Sequence, residues 1–192
     1  MDQTNILDVP RVYPDLLQKC KDIGFSMPSD VYIGTLLKTL IASKPNGNFL
    51  ELGTGIGLSL AWMVDGMDER STLITIDNDA ELIEIVKKKF KDNERVVVRC
   101  EDGSQWIENY DGTPFDLIFA DAWPGKYSEI DETLNLVKPG GFYVIDDMTA
   151  QPNWPDGHQE NVDRLVGYLG KREDFTLTKM DWSTGVLIAV KK

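Results

Sequence analysis

An apolar run that ends in an acid and a glycine series limits what this chain can become: Asn48 to Ser59 reads N-F-L-E-L-G-T-G-I-G-L-S. Phe49, Leu50 and Leu52 suit a strand buried on both faces of a parallel sheet. Gly53, Gly55 and Gly57 carry no side chain to hold a ligand off the backbone. They can also take positive φ where the chain turns into a helix beginning near Leu58. The N–H groups and positive dipole end of that helix would face the contents of the loop. Spacing then separates the ligand classes. A dinucleotide fingerprint, G-x-G-x-x-G, needs glycine at position 58, where Leu58 stands. Glu51 at the strand end would repel a pyrophosphate and suit a cationic ligand.

Strands and helices alternate after the loop, as an open parallel sheet with right-handed crossovers requires. Leu60, Ala61, Met63 and Val64 continue a helix to Gly66, and T-L-I-T-I-D forms a strand ending at Asp77. An acid at that second strand end bonds the ribose hydroxyls of an adenosine in sheets of this kind. The competing role for Asp77, capping the next helix, could equally fall to Asn78 or Asp79. That helix runs from Asp79 towards Lys91, with Lys87, Lys88 and Lys89 complementing its dipole. R-V-V-V-R-C is a third strand, followed by E-D-G-S-Q-W, in which Trp106 either flanks a ligand ring or packs. F-D-L-I-F-A is a fourth strand that delivers Asp121 to the carboxyl edge, where ligands of open sheets bind. After a helix from about Ser128 to Val137, G-F-Y-V-I-D-D-M is a fifth strand carrying Asp146 and Asp147 to the same rim. Three carboxylates there need a cation or hydrogen bonds to compensate them, which is a signal for a hard metal ion. The loop from Thr149 to His158 holds the only histidine, a candidate base or a solvated loop residue. A helix through Val162 and Leu169 precedes F-T-L-T-K-M and G-V-L-I-A-V, which read as an antiparallel hairpin.

Upstream of the loop, two prolines and a short helix closed by Gly24 form an N-terminal helical extension over residues 1–27, set off from a single domain over residues 28–192. Ser29 would cap a second helix along Val31 to Ile41. The chain is long enough for one domain with a full core, at 192 residues and 42% apolar content. Its net charge of −12 disfavours nucleic acid and anionic membrane, which need basic patches. Cys20 and Cys100 are too few to frame disulfides. Neither a signal peptide nor a spanning segment is visible, so the expected location is cytoplasmic.

The series E-x-G-x-G-x-G followed by Asp77 resembles the first motifs of the class I S-adenosylmethionine-dependent methyltransferases. The resemblance implies an α/β fold: a Rossmann-like, doubly wound seven-stranded sheet, mostly parallel with a C-terminal antiparallel hairpin and helices on both faces. It implies cofactor contacts from Glu51, Gly53, Thr54, Gly55, Gly57 and Ser59, from Asp77 and Asn78, and from Asp121. An acid after the third strand would meet the adenine, here Asp102 with Gly103 and Ser104. Asp121 to Tyr127 together with Asp146 and Asp147 is similar to the cation-dependent O-methyltransferases of catechols and caffeoyl thioesters. That implies a divalent cation, magnesium, calcium or manganese, on Asp121, Asp146 and Asp147, with methyl transfer to a hydroxyl of a small molecule. Asp147 stands where that family has Asn, and Pro124 where it has the lysine that serves as base. Asp121, Asp147 and His158 are then the catalytic candidates, Lys126 being two residues too far along a loop to assign. The resemblance leaves room for a homodimer. A cofactor-binding protein without transfer, or a metal-independent methyltransferase on another acceptor, are the alternatives.

Overall fold

A computed structural model describes residues 2–6, 8–152 and 154–192. Asn153, in the loop expected beside the acceptor, and Met1 and Leu7 of the extension lie outside the described residues. The chain runs α1 (Tyr13–Ile23), α2 (Val31–Ala42), β1 (Asn48–Leu52), α3 (Leu58–Gly66), β2 (Thr72–Asp77), α4 (Ala80–Phe90) and β3 (Val96–Cys100). It continues through α5 (Gly103–Asn109), β4 (Phe115–Ala120), α6 (Ile130–Asn135), β5 (Val137–Ile145), α7 (His158–Leu169), β6 (Phe175–Met180) and β7 (Val186–Lys191).

The strands form one seven-stranded sheet in the order β3-β2-β1-β4-β5-β7-β6. β1 to β5 are mutually parallel, and β7 pairs antiparallel with both β5 and β6. Strand order reverses between β1 and β4, so the crevice at their carboxyl ends is where a ligand has room between diverging loops. Alternation along β1 explains the layering. Phe49 faces one core cluster with α1, α2, α3 and α4, while Leu50 and Leu52 face a second with α5, α6 and α7. Each of these side chains is almost fully withdrawn from water, worth about 1.5–3 kcal/mol apiece before entropy is counted.

Three details depart from the sequence reading. Asp30, not Ser29, caps α2: its backbone is extended and its carboxylate accepts from Tyr32 N at 2.7 Å. The residues after β3 form a helix, α5, started by Asp102, which accepts from Gln105 N at 2.9 Å. α6 is shorter than the helix expected over 128–137. β5 starts at Val137, its register against β4 shifting across the turn at Gly140, which has φ +75°. Helix α1 of the N-terminal extension packs onto the first core cluster. Tyr13, Leu16 and Cys20 are buried in the first core cluster, Tyr13 lying edge-on to Trp62 with ring centroids 5.4 Å apart. Among the described residues no helix is long and apolar enough to cross a membrane.

Candidate active site

The turn from β1 into α3 is held by its own backbone. Gly53, Gly55 and Gly57 take φ of +98°, +50° and +87°, conformations open to glycine at little cost. Gly53 is also pressed against the end of β4, where an added Cβ would lie 2.7 Å from the Asp121 carbonyl oxygen. Gly53 N and Thr54 N both donate to Ile76 O, at 2.9 and 3.3 Å, and Gly57 N donates to Thr54 O at 2.9 Å. Gly55 N donates to the Asp77 carboxylate at 2.8 Å. These four N–H groups are spent within the fold, so fewer donors remain to cradle a pyrophosphate.

Asp77 spans two jobs. One oxygen holds Gly55 N and the other accepts from Asp79 N at 3.0 Å, while Asp79 caps α4. Glu51 and Ser59 lie behind the loop and not on its open surface. Glu51 is fully buried, accepting from Ser59 Oγ at 2.6 Å and Thr75 Oγ1 at 2.5 Å, and Thr75 in turn bonds Thr54 Oγ1 at 2.6 Å. Burial pushes the Glu51 carboxyl up to about 7, against the pull of the two hydroxyls. The buried strand interior turns its side chain under the loop, so any effect on a ligand passes through Ser59 and the threonines.

The loop opens on a cavity of about 650 Å³ that runs from Asp77 and Asn78 past Asp121 to Asp147, Trp154 and His158. That volume falls in the range that encloses a small ligand. Phe25 and Ser29, from the segment before α2, cover its near side, Ser29 Oγ lying 3.4 Å from Asp121 Oδ2. Asp102, Gly103 and Ser104 do not line this cavity. One oxygen of Asp102 caps α5, Ser104 donates to Glu129 at 2.7 Å, and Pro124 closes over Gly103. Trp106 packs, stacked on Tyr110 at 4.5 Å.

The far end of the cavity is built from ionisable side chains. Asp121 sits deep among protein atoms, and burial raises its carboxyl well above the usual range, with Asp146 pushing the same way. Burial lifts Asp146 to about 6 and raises Asp147. Asp146 Oδ1 accepts from Thr184 Oγ1 and from Asp147 N at 2.8 Å. Asp147 itself is in the left-handed region, φ +53°, a position that strains a non-glycine residue. The sequence left Lys126 unassigned. The structure turns it inward, nearly buried, with Nζ donating to Asp146 O at 2.6 Å. Tyr127 OH pairs with His158 Nε2 at 3.1 Å, and Trp154 covers the imidazole with centroids 4.4 Å apart. Burial, seconded by Lys126, lowers the His158 pKa and keeps the ring neutral near pH 7. Among the described residues no group of three or more His, Cys, Asp or Glu side chains is arranged to hold a metal ion.

The sequence matches a methyltransferase-domain family over residues 50–148, from β1 to just beyond β5. A protein of Mycobacterium ulcerans (strain Agy99), provisionally named an O-methyltransferase, is 26% identical over 180 residues, which span 88% of this chain and 80% of that one. Among solved structures, the O-methyltransferase TomG of Streptomyces achromogenes, in complex with S-adenosylmethionine, matches with a TM-score of 0.85. It is 21% identical, over 98% of this chain and 93% of its own. An O-methyltransferase of Bacillus cereus in complex with S-adenosylhomocysteine matches with a TM-score of 0.83 at 22% identity, over 98% and 94% of the two chains.

Proposed function

Since the chain belongs to the methyltransferase-domain family, which its residues 50–148 match, we propose that it moves the methyl group of S-adenosylmethionine onto a hydroxyl of a small molecule. The observation that carries this reading is a single cavity. It begins at a glycine loop whose Gly53, Thr54 and Gly55 N–H groups are already used, passes Asp77 and Asp121, and ends among acids and aromatic rings. Spent N–H groups and carboxylates disfavour phosphates and favour a cofactor with an adenosine and two cationic centres. The provisional O-methyltransferase name of the mycobacterial relative supports the hydroxyl acceptor. The net charge of −12 supports a small acceptor over a nucleic acid.

When bound, S-adenosylmethionine supplies a methyl carbon on a sulfonium that leaves as a neutral thioether. The chain's residues do the rest. The turn of Gly53 to Gly57 gives the cofactor a surface that is mostly backbone, and Asp77 offers its remaining lone pairs to the ribose. Asp121, deep between the two ends, faces the cavity where the cofactor's cationic charge would lie. The acceptor's proton must leave as its oxygen forms the new bond to carbon, and the acceptor end holds two takers. Neutral His158, oriented by Tyr127, and Asp147, with its raised pKa, both suit a general base working near neutrality. Fixing the acceptor against the methyl in line is the larger contribution, and the walls of Trp123, Tyr127 and Trp154 provide it.

The divalent cation implied by the resemblance does not fit this donor set. Asp121, Asp146 and Asp147 reach the same cavity, but a lysine ammonium already occupies this end of it, on the Asp146 carbonyl, and Asp146 has committed one oxygen to Thr184 and Asp147 N. No step here passes through a metal.

The test combines calorimetry with S-adenosylmethionine and transfer of a labelled methyl group to a panel of hydroxylated aromatic and aliphatic acceptors. Binding followed by label in a methyl ether is expected. Binding without label in any acceptor would leave a protein that holds the cofactor and transfers nothing.

A further inference from the structure

We propose that the ammonium of Lys126 is the built-in counter-cation of Asp121, Asp146 and Asp147, standing in for the divalent ion that the sequence resemblance implies. This goes beyond the acceptor assignment and does not depend on it. Three independent features point the same way.

The first is the turn that aims the side chain. Gly125 has φ +81° and lies so close to Leu52 that an added Cβ would be 2.3 Å from its Cδ1. Gly125 O accepts from Tyr143 OH, Gly125 N donates to Ser128 O at 2.9 Å, and Lys126 N donates to Trp123 O at 3.3 Å. A loop clamped at these points has one direction left for the lysine, inward. The second is where the ammonium ends. With 5% of its surface exposed, Lys126 places Nζ 2.6 Å from the carbonyl of Asp146, the residue between the end of β5 and Asp147. Lys126 is the charge common to all three acids that opposes their raised pKa, His158 acting beside it on Asp147. The third is the state of the ligands. Asp146 Oδ1 is engaged by Thr184 Oγ1 and Asp147 N. Asp146 can then offer a divalent ion Oδ2 alone without breaking those bonds, and the ion would enter a buried space beside a fixed positive charge, where repulsion is little screened.

Pro124 and Lys126 then read as one exchange. A lysine two residues later, on a turn fixed by Gly125, supplies the charge compensation that would otherwise need a metal. Asp147, in place of Asn, adds the carboxylate that this cation balances.

The experiment titrates the full chain with MnCl₂ alone, reading free Mn²⁺ by electron paramagnetic resonance, with and without S-adenosylhomocysteine. The wild type is expected to take up no stoichiometric Mn²⁺ below about 1 mM, the weak end of oxygen-ligand sites. Lys126→Met is expected to bind one Mn²⁺ per chain at least about tenfold more tightly than wild type, and Lys126→Arg to behave as wild type does. Adding Asp146→Asn to Lys126→Met should abolish the gained site. One Mn²⁺ per wild-type chain below about 1 mM, lost in Asp146→Asn, overturns the proposal, as does a folded Lys126→Met that gains nothing. Should Lys126→Met fail to fold, the wild-type titration with Asp146→Asn as its control decides alone. Failure of S-adenosylhomocysteine to bind would count against the cofactor assignment and leave this readout intact.

Discussion

At the glycine-loop end of the cavity the N–H groups of Gly53, Thr54, Gly55 and Gly57 are all matched to carbonyls or to Asp77, and the surface left for a ligand is mostly backbone. At the other end the surface is side chains. Asp121, Asp146, Asp147, Lys126 and the Tyr127–His158 pair come from two loops far apart in sequence, and burial displaces nearly every pKa among them. The first end is a shape that tolerates no added atoms. The second is a charge balance that tolerates no lost partner. Shape and charge fail differently, so substitutions can show whether the division is real.

The largest effect belongs to Gly53, where the two ends touch. Gly53→Val adds atoms 2.7 Å from the Asp121 backbone at a φ of +98°, combining backbone strain with overpacking. A loss of about 3–5 kcal/mol in stability by urea denaturation is expected. Gly55→Ala meets only the rim of Phe25 at 3.3 Å and should cost about 1–2 kcal/mol through its positive φ. Equal losses at the two positions would break the picture of a loop wedged against β4.

Next comes Glu51, the buried acid under the backbone end. Its folded pKa of about 7 lies above the ordinary 4.5, so between those values the native chain holds a proton that the unfolded chain has released. Stability should fall as pH rises through that window, by on the order of 3 kcal/mol once complete, and be unaffected below it. Asp146, raised to about 6, and Asp121, raised well above the usual range by burial, add falls of the same sign. Glu51→Gln should remove Glu51's share and make the slope between about pH 5 and pH 7 shallower. An unchanged slope in that variant would show that the titrating charge lies at the acceptor end.

A purely local loss is expected at Asp77. Asp77→Ala removes the acceptor for Gly55 N and the ribose partner together, and calorimetry should record cofactor binding weaker by about 1–3 kcal/mol. The Mn²⁺ behaviour of the other end should not change. Unchanged cofactor affinity would remove Asp77 from the site.

The two ends also differ in how far they could be read from the sequence. Glycine spacing and apolar strands are local signals, and β1, the loop, α3, β2 and the closing hairpin fell where the pattern put them. The second end depends on directions that loops decide. Lys126 sits two residues from its expected place, and only the positive φ at Gly125 and the Tyr143 hydroxyl on its carbonyl determine that it turns inward. Ser29, Phe25 and Thr184 arrive from segments with no motif of their own. Asp102 looked like an adenine contact because its position follows a strand; the short helix α5 that takes it as a cap carries too few apolar residues to announce itself. Trp106 had two uses on paper, and stacking on Tyr110 selected packing.

The smallest effect tests whether the charge end works as a network or as separate groups. Tyr127 donates or accepts one hydrogen bond with His158 Nε2, and its own pKa, pushed up to about 12 by burial and by Asp147 and Asp121, keeps it a neutral phenol. Tyr127→Phe keeps the ring that faces Trp123 at 4.9 Å and deletes only the hydroxyl. If His158 takes the acceptor's proton, the imidazole loses its orientation but not its basicity. The turnover number should then fall by about fivefold, roughly the 1 kcal/mol of one neutral hydrogen bond, while cofactor affinity stays as in wild type. Where Asp147 takes the proton, the tyrosine is remote from the transfer and turnover should be unchanged. Repeating the measurement in Asp147→Asn separates the two. A tyrosine effect that persists there belongs to His158, and one that disappears shows that the acid and the imidazole share one proton path.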